Sequence, residues 1–197
     1  MTTPVTARDR AKAERSDAIL REAARLFAER GYNGVSLEDI GAAVGVSGPA
    51  VYRHFAGKQA LLGAVLVQVS EDLVSGGTDV AAQAADDAER MRALIAFHVE
   101  FALGHADVIR VHDRDVVQLA ASDHAEVRRL QRAYVELWIR TLAPLVEADP
   151  DELRLRVQAC FGLINSTPHS TRSAARRRST TAAVLGAMAE AALRAPS

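Results

Sequence analysis

The chain has 197 residues, 49% of them hydrophobic and 25% charged, with a formal net charge of −1. That balance fits a globular protein of one large or two small domains and excludes wholesale disorder. Cys160 is the only cysteine, which excludes an intrachain disulfide framework and a cysteine-based zinc site. The charge is uneven: residues 1–60 carry nine Lys/Arg against seven Asp/Glu, a net of +2, and the remainder carries −3.

The N-terminal residues are polar, with no apolar stretch behind the first basic residues, so no signal peptide is expected. The longest uncharged runs, such as residues 40–52, contain Gly and Pro and fall short of the ~18 apolar residues of a membrane span. A soluble, cytoplasmic protein is the expectation.

In chain order, Ile19, Ala23, Leu26 and Phe27 sit at helical spacing within residues 10–29, and Gly31 stops that helix. Leu37, Ile40 and Val44 mark a short second helix, and Val51 with Phe55 a third. Leu62, Val65, Leu66, Val69 and Leu73 line a fourth, expected to end near Ser75-Gly76-Gly77, with residues 76–79 as a linker. Met91, Leu94, Ile95, His98 and Ala102 form the stripe of a fifth helix, and residues 107–119 a sixth. Val127, Leu130, Tyr134, Leu137, Trp138, Thr141 and Leu145 mark a seventh, closed by Pro144 and Pro150. An eighth covers residues 151–166 and a ninth residues 179–194. No segment alternates with period two, so the fold class is all-α with about nine helices. An N-terminal unit would span residues 10–75 and a C-terminal unit residues 80–197.

Residues 36–58 carry the chemistry. Ser36, with Asp39 three positions on, approximates a capping box. Gly45 can take the left-handed conformation that ends the second helix, Ser47 can cap the third, and Pro49 sits in its first turn. The third helix then exposes Tyr52, Arg53 and His54 over Val51 and Phe55, with Lys58 following. Hydroxyl, guanidinium, imidazole and ammonium groups beside a helix start suit a phosphate backbone, while Gly48 and Ala50 permit close approach to base edges.

The stretch VSLEDIGAAVGVSGPAVYRHFAGKQALL, residues 35–62, resembles the signature of the tetracycline-repressor (TetR) family. The shared features are a Ser opening helix two, the Gly-Val-Ser turn, the Y-x-H-F core of helix three, and Lys then Leu opening helix four. The preceding AARLFAERGYNGVS fits the family's first helix and its Gly-Tyr turn. The resemblance implies a helix-turn-helix at residues 36–55. Phosphate contacts would come from Ser36, Ser47, Tyr52, His54 and Lys58, and base-facing positions would be Gly48, Pro49, Ala50 and Arg53. Glu38 stands where some relatives carry a basic base reader, and helix three lacks Asn or Gln, so Arg53 is the main candidate for guanine readout.

The resemblance further implies a repressor, acting as a homodimer through helices eight and nine on a palindromic operator. It implies release by a hydrophobic or amphipathic small molecule held in a cavity. Candidate liners are Phe97, His98, Phe101, Leu119, Tyr134, Trp138, Phe161 and Asn165. Small residues in helices eight and nine, among them Ala159, Gly162, Ala183, Gly186 and Ala187, are compatible with close helix packing. An effector-independent regulator or an activator is the alternative, a helical enzyme the remote one.

No P-loop, nucleophile elbow or H-E-x-x-H motif is present, so no enzyme is expected, nor any cofactor. His98, His105 and His112 repeat every seven residues, which on a straight helix sets successive side chains ~10 Å apart, too far to share a metal. Asp113 and Asp115 read as solvated carboxylates. Residues 8–15 hold Arg8, Arg10, Lys12 and Arg15 and read as a solvated terminus or a basic arm ahead of helix one. Arg172, Arg176, Arg177 and Arg178 read as a solvated loop.

Overall fold

The protein is described here from a computed structural model that covers residues 6–167 and 178–196. Among these residues there are nine α-helices and no strand: α1 (Ala7–Arg30), α2 (Leu37–Ala43), α3 (Gly48–Tyr52), α4 (Lys58–Ala82), α5 (Asp87–Gly104), α6 (Ala106–Asp115), α7 (Ala121–Leu142), α8 (Pro150–Asn165) and α9 (Arg178–Leu193). Most of the basic loop, Arg172, Arg176 and Arg177, lies outside the described residues. Arg178 opens α9 and pairs with Glu100 of α5 at 3.1 Å.

The helix starts follow their capping chemistry. Thr6 and Asp9 form a reciprocal capping box, so α1 begins at Ala7 and Arg8–Arg15 belong to its first turns instead of preceding it. Ser36 and Asp39 form a second box at α2, and Asp149 accepts from the Asp151 and Glu152 N–H groups to start α8 behind Pro150. Gly45 takes φ +72°, the left-handed turn after α2. Ser47, by contrast, makes no side-chain cap on α3. The Ala50 N–H donates to the Ser47 carbonyl at 2.9 Å instead, and the Ser47 hydroxyl stays at the surface.

Two hydrophobic cores result. The N-terminal core gathers Ile19, Leu26, Phe27, Leu37, Ile40, Val51, Leu62 and Leu66 from α1 to α4. The C-terminal core gathers Met91, Leu94, Trp138, Leu142, Val157, Ile164 and Leu193 from α5 and α7 to α9. Each such aliphatic or aromatic side chain contributes about 1.5–3 kcal/mol by leaving water. Val111 of α6 and Val127 of α7 are buried in the N-terminal core, so both C-terminal helices reach into the first unit.

α4 does not end at Ser75-Gly76-Gly77; it runs on to Ala82. The two glycines mark close approach, not a linker. A Cβ on Gly76 would lie 2.5 Å from Phe97, and one on Gly77 2.6 Å from the Tyr134 ring. α4 is thereby a continuous rod shared by both cores. It is also long and apolar enough, by length and composition, to cross a bilayer. Its apolar residues instead pack on both cores, Leu61, Leu62 and Leu66 in the first, Leu73, Val74 and Ala81 against the second.

Candidate functional site

α2 and α3 pack against each other through the Gly45 turn, with Val51 fully buried beneath α3. The outer face of α3 then carries Pro49, Tyr52 and Arg53, all exposed, with Tyr52 54% accessible. Gly48 is half-buried and its Cα faces Glu38, whose carboxylate lies 3.2 Å from where a Cβ would stand. Ala50 is 9% exposed and lines a concavity beside Arg53 and His54, so little of its methyl is open at the surface. α3 stops at Tyr52, and the turn continues through the His54 and Phe55 N–H groups, which donate to the Val51 carbonyl at 2.9 and 3.0 Å.

Two of the expected phosphate ligands are occupied by the fold. The Ser36 hydroxyl donates to Asp39 at 2.7 Å and accepts the Asp39 N–H at 3.0 Å, which holds the Asp39 carboxyl below its usual range. The Lys58 ammonium donates to the Val35 carbonyl at 2.9 Å and lies 4.5 Å above the Tyr32 ring. Lys58 therefore braces the α1–α2 turn against the start of α4, while Ser36 is held within the first turn of α2.

The basic groups collect elsewhere. Lys12 and Arg15 of α1 line one concavity with Arg53 and His54. His54 is held below its ordinary value, first by burial and then by Lys12, Arg53 and Arg15. A helix start thus carries its two cations to the C-terminal side of α3. The sequence signalled these residues only as a basic arm; that they meet Arg53 follows from the α1–α3 crossing.

A second concavity, of about 460 Å³, lies among α4 to α8. His98 and Phe101 of α5, Tyr134 of α7, and Phe161 and Asn165 of α8 line it, as expected from sequence. Phe97, Leu119 and Trp138 do not. Phe97 packs across Gly76, Leu119 packs on the N-terminal core, and Trp138 is wholly buried behind His98 and Phe161. The interior is aromatic: His98 lies 4.6 Å from Phe161, which stacks on Tyr134 at 5.6 Å. Sequence reading missed the polar side, where Arg128, Gln131, Arg132, Arg154 and Gln158 join the lining. On a helix surface such residues look like an ordinary solvated face.

His98 is 3% exposed, and its Nδ1 lies 3.4 Å from the Tyr134 hydroxyl. Burial pushes its pKa down to about 4, so the ring is neutral near pH 7; Asn165 tempers that shift. Among the described residues its Nε2, the Trp138 Nε1 and the Asn165 Oδ1 are buried without a well-formed hydrogen bond. The other two histidines of the heptad series go elsewhere: His105 stacks on Phe101, and His112 contacts Gln131 at 2.7 Å. Asp115 is not solvated; it is 6% exposed and pairs with Arg114 at 2.9 Å. Burial raises the Cys160 thiol to about 12, leaving it protonated and unreactive.

α6 connects the second concavity to the N-terminal core and the end of α1. Val108, Ile109 and His112 line the cavity, while Val111 is in the N-terminal core. The Arg114 guanidinium donates to the Phe27 and Ala28 carbonyls at the end of α1, a favourable place for a cation. No sequence pattern marked Arg114.

Comparison with known proteins follows the same division. Residues 19–65 match the family model for bacterial regulatory proteins of the tetR family, and residues 84–169 match the model for a tetracyclin repressor-like C-terminal domain. Together they span more than half of the chain. The HTH-type transcriptional repressor KstR2 of Rhodococcus jostii is 25% identical over 168 residues, covering 85% of this chain and 82% of that protein. The HTH-type transcriptional activator FasR of Mycolicibacterium smegmatis is 34% identical over 88 residues, covering 45% of this chain and 40% of that protein. The crystal structure of the TetR-family regulator PfmR from Thermus thermophilus aligns over 100% of this chain and 99% of that one, with a TM-score of 0.77 at 25% identity.

Proposed function

The chain belongs to the tetR family of bacterial regulatory proteins, as a DNA-binding transcriptional regulator, and from that premise we propose a repressor that grips a palindromic operator as a homodimer and releases it when a small molecule enters the cavity. The Rhodococcus relative is a repressor, which supports the sign of control. Such a regulator works where the chromosome is, in the cytoplasm.

The DNA face is α3 with its flanks. Tyr52, Ser47 and His54 serve phosphates, and Arg53, beside Gly48 and Pro49, reads base edges. Lys12 and Arg15 extend the phosphate contact, while Ser36 and Lys58 hold the scaffold. Dimerisation uses the outer face of α8 and α9. Leu155, Val184 and Met188 are large, apolar and 50–64% exposed there, and no atom lies within 4 Å of a Cβ added at Gly162 or Gly186. An apolar face with open small-residue positions suits a second helix pair across a two-fold axis.

The observation that carries effector control is α6, which lines the cavity on one face and is anchored in the DNA-binding unit by Val111 and Arg114. A ligand that shifts Ile109 or His112 moves the carbonyl end of α1, and with it the α1–α3 concavity. The test is fluorescence anisotropy of operator DNA with the wild-type chain and Arg114→Gln, titrated with cell-extract small molecules. Release of wild type and weakened release of Arg114→Gln, at equal cavity affinity, is the expected result. Equal release by both would remove α6 from the pathway. The likeness to FasR favours activation as the second reading, and a promoter-reporter assay in a deletion background separates the two signs.

A further inference from the structure

We propose that the cavity reads an anionic amphiphile by both ends: an uncharged oxygen group is held inside by His98 and Asn165, and the anion is held at the rim by Arg128 and Arg132. The inference rests on the reading of the cavity as an effector site and deepens it.

The inner end is built and unsatisfied. His98 Nδ1 faces the Tyr134 hydroxyl at 3.4 Å, which suits the tautomer in which Nδ1 accepts and Nε2 carries the proton. Asn165 lies near enough to raise the proton affinity of the imidazole, yet among the described residues neither His98 Nε2 nor Asn165 Oδ1 has a well-formed hydrogen bond, and both are buried. Leaving such groups unpaired costs about 1–3 kcal/mol each, so their retention against an aromatic wall needs a counterpart. The counterpart is uncharged: among the described residues no cation is buried beside the imidazole to balance a carboxylate, and the imidazole itself is neutral, with a pKa near 4. A carbonyl accepts from Nε2; a hydroxyl accepts from Nε2 and donates to Asn165. Phe101, Tyr134 and Phe161 then cover the apolar body of the ligand.

The outer end has the opposite character. Arg128 and Arg132 lie four residues apart on α7, line the cavity, and are exposed. Among the described residues neither has a hydrogen-bond or ion-pair partner. Arg154, also at the rim, is held by Glu136, and Asp113 there faces His112 at 3.5 Å. Along α7, Arg128 lies about 9 Å by helical rise from Tyr134, which faces His98, so the outer arginine and the buried polar group are more than one helical turn apart.

Trp138 is the only tryptophan and packs edge-on against His98 and Phe161, so its fluorescence reports occupancy. The full chain is titrated with 10-hydroxydecanoate, decanoate and decane-1,10-diol. The first carries both end groups; each of the others lacks one. Binding of 10-hydroxydecanoate should be ~10-fold tighter than either. His98→Leu should erase its advantage over decanoate alone, and Arg128→Ala with Arg132→Ala its advantage over the diol alone. The Arg variant lies on the surface and keeps the experiment decisive if the Leu variant melts early. Equal binding of all three probes, or loss of both preferences in either variant, overturns the two-ended assignment and leaves the effector cavity standing. Silence of Trp138 toward every probe overturns both.

Discussion

Lys58 belongs to the family signature, yet its ammonium is bonded to the Val35 carbonyl and covers the Tyr32 ring. Lys58→Ala is therefore expected to weaken operator binding through a looser α1–α2 turn, with the slope of log affinity against log salt unchanged. Lys12→Ala with Arg15→Ala should lower that slope by nearly two, at ~0.9 per released counterion. Anisotropy titrations across a salt series measure both. His98 gives a pH signature. In the fold it stays neutral down to about pH 4, whereas the unfolded chain protonates it near 6.5. Between those values only the unfolded state binds the proton, so its contribution is full above pH 6.5 and lost as pH falls toward 4. The loss approaches roughly 3 kcal/mol, and urea unfolding at pH 7 and 4.5 should show it in wild type and not in His98→Leu.

At the scale of elements, the helices of the N-terminal unit were legible because their signals are local. Gly31, the Ser36–Asp39 box and Gly45 act on their own turns, and each does so in the structure. Gly76-Gly77 misleads for the same reason. Read locally it is a stop, but its cause lies in Phe97 and Tyr134, which approach α4 from other helices. Gly77→Ala improves local helix propensity by about 1 kcal/mol. The Cβ meets the Tyr134 ring, and overpacking costs about 1–3 kcal/mol. A net loss of thermal stability is expected; a rise in melting temperature would mean that α5 and α7 yield easily. The cavity was half legible. The family resemblance offered Phe101, Tyr134 and Phe161 as candidate liners, and the cavity brings them together, while Arg128, Arg132 and the α6 anchor Arg114 join only through tertiary register.

At the scale of the whole molecule, the α4 rod and α6 join a DNA-reading unit to a cavity-bearing unit. Ala50 is 9% exposed, and in the proposed docking Arg53 is the chief direct base reader, so much of the selectivity is expected from the distance between two copies of α3. In the proposed dimer that distance is set by the α8–α9 face. Met188→Glu, on that exposed apolar face, should give a monomer in sedimentation and reduce operator affinity by at least tenfold through lost bivalency. The central claim, a two-fold DNA reader built on α3, is tested most directly by footprinting the full chain on a sequence selected from a random library. Two protected half-sites in inverted repeat, about one helical turn apart, are expected, both lost together in Tyr52→Ala with Arg53→Ala. A single asymmetric footprint, or protection that survives that double substitution, would contradict it.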